Sequence, residues 1–164
     1  MDNSTIPAAL AFREATLEDI PEMLEVVNAA FQEEAFFVNR PRTYRAQLEE
    51  HFRSGQFLLA HRGSQLLASA YCEIRGARGY IGMLAVRPGH QREGLGRAMM
   101  YAVEQILRSH GCSVAEISVV SVRTALPPIY RRLGYAEVGV EEPHEDLRKK
   151  LTMPVQLIKM EKEL

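Results

Sequence analysis

Short blocks of apolar and polar residues along this chain predict a mixture of strands and helices. The clearest helix follows Gly94, because apolar residues recur there at intervals of three and four, as one buried helix face requires. These residues are Leu95, Ala98, Met99, Ala102, Val103, Ile106 and Leu107. Gly111 is expected to end this helix. The mostly apolar run before it, residues 80–86, predicts a strand that Pro88 and Gly89 close.

The remaining blocks predict further strands and shorter helices before and after this strand and helix. Strands are expected over residues 10–15, 56–61, 65–74, 114–121, 135–140 and 153–160. Helices are expected from Ile20 onward, over 42–53 and over 124–133. In the first helix Asp19 is the expected N-cap, and Glu22 is expected to complete a capping box. The charged stretch 143–150 is expected to be a loop.

The segment between the central strand and the central helix is suited to holding an anion. It reads Gln91-Arg92-Glu93-Gly94-Leu95-Gly96-Arg97. Its glycines leave backbone N–H groups uncovered at the positive end of the helix dipole, where phosphate binds well. The spacing excludes a Walker loop and a dinucleotide fingerprint. A tight turn that needs two glycines is the alternative interpretation.

Two motifs in this order resemble one protein family. The run from Gln91 to Gly96 follows the pattern Gln/Arg-x-x-Gly-x-Gly/Ala, which resembles motif A of the GNAT superfamily of N-acetyltransferases. The run 84–88, Leu-Ala-Val-Arg-Pro, is similar to the strand that precedes this motif in the family. Residues 129–135, Ile-Tyr-Arg-Arg-Leu-Gly-Tyr, resemble the family's motif B. The resemblance covers nearly the whole chain from Leu10, and its specific part is residues 80–135.

The resemblance implies a fold, a domain organisation and an acyl donor. The fold would be α/β (α+β), with a mixed, mostly antiparallel sheet of about six or seven strands and helices on both faces. Residues 10–164 are expected to form one N-acetyltransferase domain after a flexible terminus, residues 1–9. The donor would be acetyl-CoA. The residues expected to bind it are Leu84, Ala85, Val86, Gln91, Arg92, Glu93, Gly94, Leu95, Gly96, Arg97, Arg123 and Tyr130; Arg123 stands where the family usually has an asparagine.

The resemblance also implies catalytic residues. Tyr130 occupies the family position whose hydroxyl often lies near the sulfur, so we expect it to be the general acid for the leaving thiolate. Several relatives carry a glutamate as base at the position of Tyr80, which cannot serve as a base at neutral pH. Glu73 on the neighbouring predicted strand is therefore the expected base. Glu33, Glu34 and a path through water, without a dedicated base, are the alternatives.

Residues 31–41 are expected to line the acceptor side, because they lose helical periodicity and mix aromatic with acidic residues. Glu33, Glu34, Phe37 and Tyr80 are the expected substrate contacts, since carboxylates beside aromatic rings bind an amine and its apolar neighbour. An ordinary loop with buried phenylalanines is the alternative. The expected acceptor is the primary amine of a small molecule or an amino-acid derivative, attacked directly in a ternary complex. A protein or peptide acceptor, or an acyl-CoA-binding sensor without turnover, is the second interpretation, and a homodimer is one expectation for the assembly.

Composition narrows the class of protein further. Among 164 residues, 20 basic and 21 acidic side chains give a net charge of -1, so no overall field favours nucleic acid or an anionic membrane. No apolar run is long enough to span a membrane and no leader is recognisable, so a cytoplasmic location is expected. The five histidines are dispersed, and Cys72 and Cys112 have no metal-binding or redox spacing. We therefore expect no metal site and two buried cysteines.

Overall fold

A seven-stranded sheet forms the centre of the computed structural model, which describes residues 10–39 and 41–164. The strands in chain order are β1 (Leu10–Glu14), β2 (Gln56–Arg62), β3 (Gln65–Arg75), β4 (Arg78–Val86), β5 (Val114–Val120), β6 (Ala136–Glu141) and β7 (Leu157–Glu163). Their order in the sheet is β1-β2-β3-β4-β5-β7-β6. All neighbours are antiparallel except β4 and β5, which run parallel. The expected mixed, mostly antiparallel sheet is confirmed.

Helices cover both faces of the sheet, as the family resemblance implied. They are α1 (Ile20–Ala30), α2 (Arg45–Ser54), α3 (Leu95–Ser109), α4 (Leu126–Arg132) and α5 (Glu145–Arg148), with short 3-10 helices at Leu17–Asp19 and Phe31–Glu34. One core lies between the sheet and α3, with α4 at its edge, and a second lies under α1 and α2. In residues 10–39 and 41–164, no helix is long and apolar enough to cross a membrane.

The helix α3 packs closely on β4 because of one glycine. A Cβ atom on Gly79 would lie 2.4 Å from a methyl carbon of Leu107, so only glycine permits this approach. The apolar face predicted for α3 is buried: Leu95, Met99 and Val103 are fully covered. This contact fixes the last turns of α3 against the start of β4.

A bulge in β4 changes which way its side chains point. The register with β3 shifts between Ser69 and Tyr71, and Met83 adopts a φ of 49°, which is unusual for a residue other than glycine. Ile81 packs in the α3 core, whereas Met83 and Ala85 pack in the α1 core, although strict alternation would put all three on one face. The bulge therefore re-aims the last residues of β4.

The parallel strands β4 and β5 separate soon after they meet. Their ladder contains Arg78↔Val114, Gly79↔Ala115 and Tyr80↔Glu116, and in the described chain it goes no further. Both strands continue, β4 to Val86 and β5 to Val120. Because the strands are parallel, a cleft opens between their carboxyl-terminal halves, beside the start of α3.

Some expected boundaries differ from the structure. The last strand was expected over 153–160 but is Leu157–Glu163, because Pro154 has no N–H to donate and the N–H of Thr152 donates instead to the carbonyl of Phe37, 2.8 Å away. The second helix begins at Arg45, and the expected charged loop contains α5. The expected terminus, residues 1–9, lies outside the described residues.

The expected capping box is wrong in its partners. Asp19 receives the N–H of Thr16 at 2.8 Å and therefore caps the 3-10 helix that precedes α1. Glu22 instead accepts the N–H of Leu66 on β3 at 3.2 Å. The first helix is thus joined to the sheet through Glu22, the residue that was expected to complete its capping box.

Candidate active site

The start of α3 presents uncapped backbone N–H groups. Gly94 takes a left-handed conformation, with φ of 76°, and no side chain of a described residue caps the helix. The first helical hydrogen bond is donated by the N–H of Ala98 to the carbonyl of Gly94, at 3.1 Å. The N–H groups of residues 95–97 precede that bond and point out of the helix. A Cβ on Gly96 would meet no atom within 4 Å, so the surface at this helix start is open, and an open helix start is a common binding site for phosphate.

The arginines around this loop differ in what they contact. Arg87 turns back, since its Nε donates to the carbonyl of Leu66 at 2.7 Å and its Nη1 lies 3.4 Å from Glu25. The one acidic residue of the loop, Glu93, is held by the His90 ring at 3.0 Å and lies 3.7 Å from Arg62. Arg92 and Arg97 are exposed. The mouth of the loop is therefore basic, which suits an anionic ligand.

The edge of β4 that faces the cleft is the second element of the site. Leu84 and Val86 pack against the α3 core, and Ala85 packs against the α1 core with 2% of its surface exposed. Past Tyr80, no described residue of β5 pairs with the backbone of β4. Backbone groups on that edge are thus available to a ligand that lies in the cleft.

Tyr130 and Tyr80 pack on opposite faces of the sheet. Tyr130, on α4, packs against the α3 core and contacts the ring of Tyr135, with ring centroids 6.1 Å apart. Tyr80 packs against the α1 core. Burial raises the pKa of Tyr130, the hydroxyl of Tyr80 raises it further, and the charge of Arg123 opposes both. The phenol of Tyr130 is therefore protonated at neutral pH and carries a proton that it can donate.

Arg123 joins two carboxylates that were expected to serve the acceptor. Its Nη2 lies 3.1 Å from Oε2 of Glu33, and its Nη1 lies 3.4 Å from Oε2 of Glu34. The side chain of Glu33 is 60% exposed, whereas that of Glu34 is 13% exposed. Burial raises the pKa of Glu34, against the charges of Arg42 and Arg123. The residues assigned to the donor side and to the acceptor side are thus in direct contact.

Glu73 lies one strand away, on β3, and both its oxygens are occupied. Arg75 Nε donates to Oε1 at 3.1 Å, and the Tyr71 hydroxyl donates to Oε2 at 2.8 Å. The hydrogen bond from Arg75 lowers the pKa of Glu73, burial opposes this, and the bond from Tyr71 lowers it further. Arg75 also lies over the ring of Tyr80, 4.7 Å from its centroid. A role for Glu73 as the base stays a prediction, although these contacts weaken it as a proton acceptor.

The aromatic pair at the expected acceptor side is divided between core and surface. Phe37 is 1% exposed, whereas Phe36 is 55% exposed. The rings meet edge to face with centroids 4.9 Å apart. A role for Phe37 in contacting substrate stays a prediction, but the ring that faces solvent there is that of Phe36.

A contact between two distant segments, at Phe36 and Phe37, was not anticipated. Residues 36–39 pair with residues 150–152 through the bridge Val38↔Leu151. The N–H of Asn39 donates to the carbonyl of Lys150 at 3.2 Å, and the hydroxyl of Thr152 donates to the carbonyl of Phe36 at 3.1 Å. We call this pairing the strap. No local pattern in the sequence predicts the strap, because it joins loops that lie far apart in the chain.

A cavity of about 670 Å³ lies beside the strap. Its lining includes Ser121 after β5, Glu142, Arg148, Leu151, Thr152 and Gln156. It lies at the carboxyl end of β5, because Ser121 directly follows that strand. In the described ranges, no group of three or more His, Cys, Asp and Glu side chains is arranged to hold a metal ion.

Known proteins resemble this chain in sequence and in fold. Residues 20–135 match the model of the acetyltransferase (GNAT) family. The chain is 31% identical over 90 residues to a mycothiol acetyltransferase from Streptomyces avermitilis, a match that covers 54% of this chain and 29% of that protein. The chain thus spans well under half of the length of this curated relative.

Solved structures share the fold over nearly the whole chain. A ribosomal-protein-alanine N-acetyltransferase from Brucella melitensis superposes with a TM-score of 0.74 at 20% identity, covering 94% of this chain and 99% of that one. A GNAT family acetyltransferase from Elizabethkingia anophelis, with acetyl-CoA bound, gives a TM-score of 0.75 at 14% identity, covering 96% and 100%. At 20% and 14% sequence identity, the structural similarity establishes the fold of this chain. Because the family model matches well over half of its residues, the chain belongs to the acetyltransferase (GNAT) family.

Proposed function

We propose that this protein transfers an acetyl group from acetyl-CoA to the primary amine of a small molecule, and that residues 10–164 form the one catalytic domain that does so. The observation that carries the proposal is the cleft between β4 and β5, which opens beside the uncapped start of α3. Membership of the acetyltransferase (GNAT) family supports the same activity.

The donor would be held by backbone groups. The N–H groups of Leu95, Gly96 and Arg97 would bind its pyrophosphate, because the helix dipole adds to their hydrogen bonds. The unpaired edge of β4 at residues 84–86 would bind the extended arm that leads to the thioester. Acetyl-CoA supplies the activated acyl group.

Tyr130 would supply a proton to the leaving sulfur. Its raised pKa keeps the phenol protonated, and the ring packs against the core under α3, whose start would hold the pyrophosphate. Tyr80, on the other face of the sheet, would add an aromatic surface beside the thioester. Proton donation by a positioned side chain contributes roughly 10²- to 10⁴-fold to a rate.

The strap favours a small acceptor over a lysine on a folded protein. It bridges the two loops that border the acceptor side, so a flat protein surface would have to displace the backbone hydrogen bonds at Asn39 and Thr152. The adjacent cavity of about 670 Å³ has the size of a small-molecule site. Its lining includes both a carboxylate, Glu142, and a cationic guanidinium group, Arg148. These two charges suit an amine that also carries an anionic group.

The test is thiol release from acetyl-CoA with a panel of amino acids, polyamines, aminoglycosides and short peptides. We expect turnover on one class of small amine. The Tyr130→Phe variant should lose about 10²-fold or more in kcat and retain its affinity for acetyl-CoA. Tyr101→Phe is the matched control, since Tyr101 is 61% exposed on α3 and should be neutral.

Two results would contradict the proposal. Turnover of peptides with none of the small amines would move the acceptor to a protein or peptide N-terminus. Acetyl-CoA binding, seen as a rise in Tm, without turnover of any amine would favour a binding domain that does not catalyse transfer.

A further inference from the structure

We infer that Glu34 is the proton acceptor of the transfer reaction and that Arg123 is the residue that positions it; the inference rests on the proposed function. Glu34 ends the 3-10 helix Phe31–Glu34, directly after α1. Arg123 lies in the turn between β5 and α4, and Tyr130 follows it on α4. The base and the acid would thus lie on two sides of one guanidinium group.

The contacts of Glu34 leave one oxygen available. Oε2 faces Arg123 Nη1 at 3.4 Å, whereas Oε1 accepts no hydrogen bond from any side chain or backbone group in residues 10–39 and 41–164. The side chain is 13% exposed, so it is largely screened from bulk water but not fully enclosed. A base needs such an open oxygen within reach of the proton that it removes.

The other carboxylates nearby are less suited to this step. Glu73 has both oxygens hydrogen-bonded, by Tyr71 and Arg75, and lies on β3 rather than on the cleft. Glu33 is 60% exposed, so water screens it and little distinguishes it from a surface carboxylate. Tyr80, at the position where relatives carry a glutamate, has no carboxylate.

The charges around Glu34 support a role in proton transfer. Burial raises its pKa and Glu33 raises it further, while Arg42 and Arg123 lower it. Burial is the larger effect, so the carboxylate binds a proton more readily than one on the surface. The same Arg123 charge also acts on Tyr130, whose pKa burial raises. Such a pair is typical of a site with one acid and one base.

The proton balance of the step is simple. A neutral amine gives an N–H proton to Glu34 as its nitrogen bonds to the acyl carbon. The carbon–sulfur bond breaks with its electron pair on sulfur, and the sulfur takes the proton of the Tyr130 hydroxyl. The proton on Glu34 then returns through water to the Tyr130 oxygen. The products are an amide and a thiol, and both side chains are restored.

The kinetic experiment compares three matched variants, Glu34→Gln, Glu33→Gln and Glu73→Gln. On the amine found by the panel, Glu34→Gln should lower kcat/KM by about 100-fold or more and remove the acidic limb of its pH profile. Its dissociation constant for acetyl-CoA should stay within about threefold. The other two variants should keep the acidic limb and fall by less than about tenfold. Replacing Arg123 by Gln should shift the acidic limb to higher pH, because it removes a cation that lowers the pKa of Glu34.

A second measurement needs no turnover. Carboxyl carbon NMR of the protein without ligand, with the Glu34 signal assigned from its loss in Glu34→Gln, should give a midpoint above the ordinary value of 4.5. A midpoint at or below that value would overturn the inference, as would an unchanged rate in Glu34→Gln or the loss of the acidic limb in Glu73→Gln. In each of these cases the wild-type activity leaves the proposed function standing. A wild-type protein that acetylates no amine would overturn both.

Discussion

Asp19 joins β1 to α1 through a compact set of hydrogen bonds. Its carboxylate accepts from Arg13 Nη1 at 2.8 Å and Nη2 at 2.7 Å, and from the N–H of Thr16. The bonds from Arg13 lower the pKa of Asp19 from 3.8 to about 2. A lowered pKa in the folded state means that the stabilisation is complete above pH 3.8 and is lost as the pH falls through 2.

We therefore expect Asp19→Asn to reduce the free energy of unfolding by about 1 kcal/mol at pH 7, a modest value because Arg13 is half exposed and water screens the pair. The difference from wild type should shrink as the pH falls from about 4 to about 2. Urea unfolding at several pH values measures it. Asp146→Asn, on the exposed surface of α5, is the control; equal losses in both variants would contradict the assignment.

Glu104 is a buried acid that links α3 to the end of the chain. It is 3% exposed, accepts from the Tyr135 hydroxyl at 2.8 Å and lies 2.9 Å from Nζ of Lys162. Replacing it with Ala would leave an amine and a hydroxyl without their partner, so we expect a loss of about 3 kcal/mol in unfolding free energy.

The matched control for this variant is Glu49→Ala. Glu49 forms an exposed pair with Arg45 within α2, at 2.9 Å, and its loss should cost less than about 1 kcal/mol. Urea unfolding midpoints compare the two. Similar midpoints would mean that the buried contacts of Glu104 add little to stability.

At the level of single residues, motif positions were predictable and long-range contacts were not. Gly94 and Gly96 belong to a loop whose spacing indicates its geometry, and the left-handed Gly94 fits that expectation. The pairing of Arg123 with Glu33 and Glu34 joins segments about 90 positions apart, so no local pattern could announce it. Phe36 is exposed and Phe37 is buried because of the short helical turn that precedes them. The irregular sequence of this segment did not predict that turn.

Among the elements, the start of α3 offers the sharpest test. Gly96 lies inside the helix, and a Cβ there would meet no atom within 4 Å, so a leucine is tolerated and is a better helix former by about 1 kcal/mol. Gly96→Leu should therefore raise Tm slightly in the protein without ligand. The family pattern allows alanine at this position, whereas the longer leucine side chain would occupy the space in front of the uncapped N–H groups and weaken acetyl-CoA binding by about tenfold or more, a cost of about 1.4 kcal/mol.

Calorimetry measures the binding and a melting curve measures the stability, and the two are expected to change in opposite directions. Gly139→Leu, on the edge strand β6 with open space around it, is the control and should leave binding unchanged. A Gly96→Leu variant that binds acetyl-CoA as tightly as wild type would contradict the proposed position of the pyrophosphate.

The elements themselves were largely predictable because their periodicity is strong. The apolar stripe of α3 and the run that becomes β4 both lie within a residue or two of the expected bounds. The bulge at Met83 was not predictable, since it depends on how β3 pairs with β4. The start of β7 was misplaced because the strap competes for the backbone of residue 152.

For the molecule as a whole, the strap is the feature that we expect to select substrates. Thr152→Pro removes the N–H that donates to the Phe37 carbonyl at 2.8 Å, and so weakens the strap. The ratio of kcat/KM for a short peptide amine to that for the best small amine should rise by about tenfold. Thr152→Ala keeps this N–H and loses only the hydroxyl contact with Phe36, so it is the control and should change the ratio little.

The result for Thr152→Pro also shows whether the strap restricts which acceptors can bind. An unchanged ratio in a variant that melts like wild type would mean that the strap holds the loops without restricting the acceptor. A raised ratio, with acetyl-CoA affinity preserved, would locate the restriction at the strap.

The short ladder between β4 and β5 makes a seam through the molecule. All strands on one side of it come from residues 10–86, and all strands on the other come from residues 114–163. Within the sheet, three residue pairs span the seam, so a pivoting motion there would keep the strand ladders of each half intact and would be limited by the strap, which also joins the two halves. A chain cut in the turn at Gly111 would then yield two continuous pieces that each keep complete strand ladders, and their reassembly would rest on the strap and on the apolar surface that α3 presents to β5.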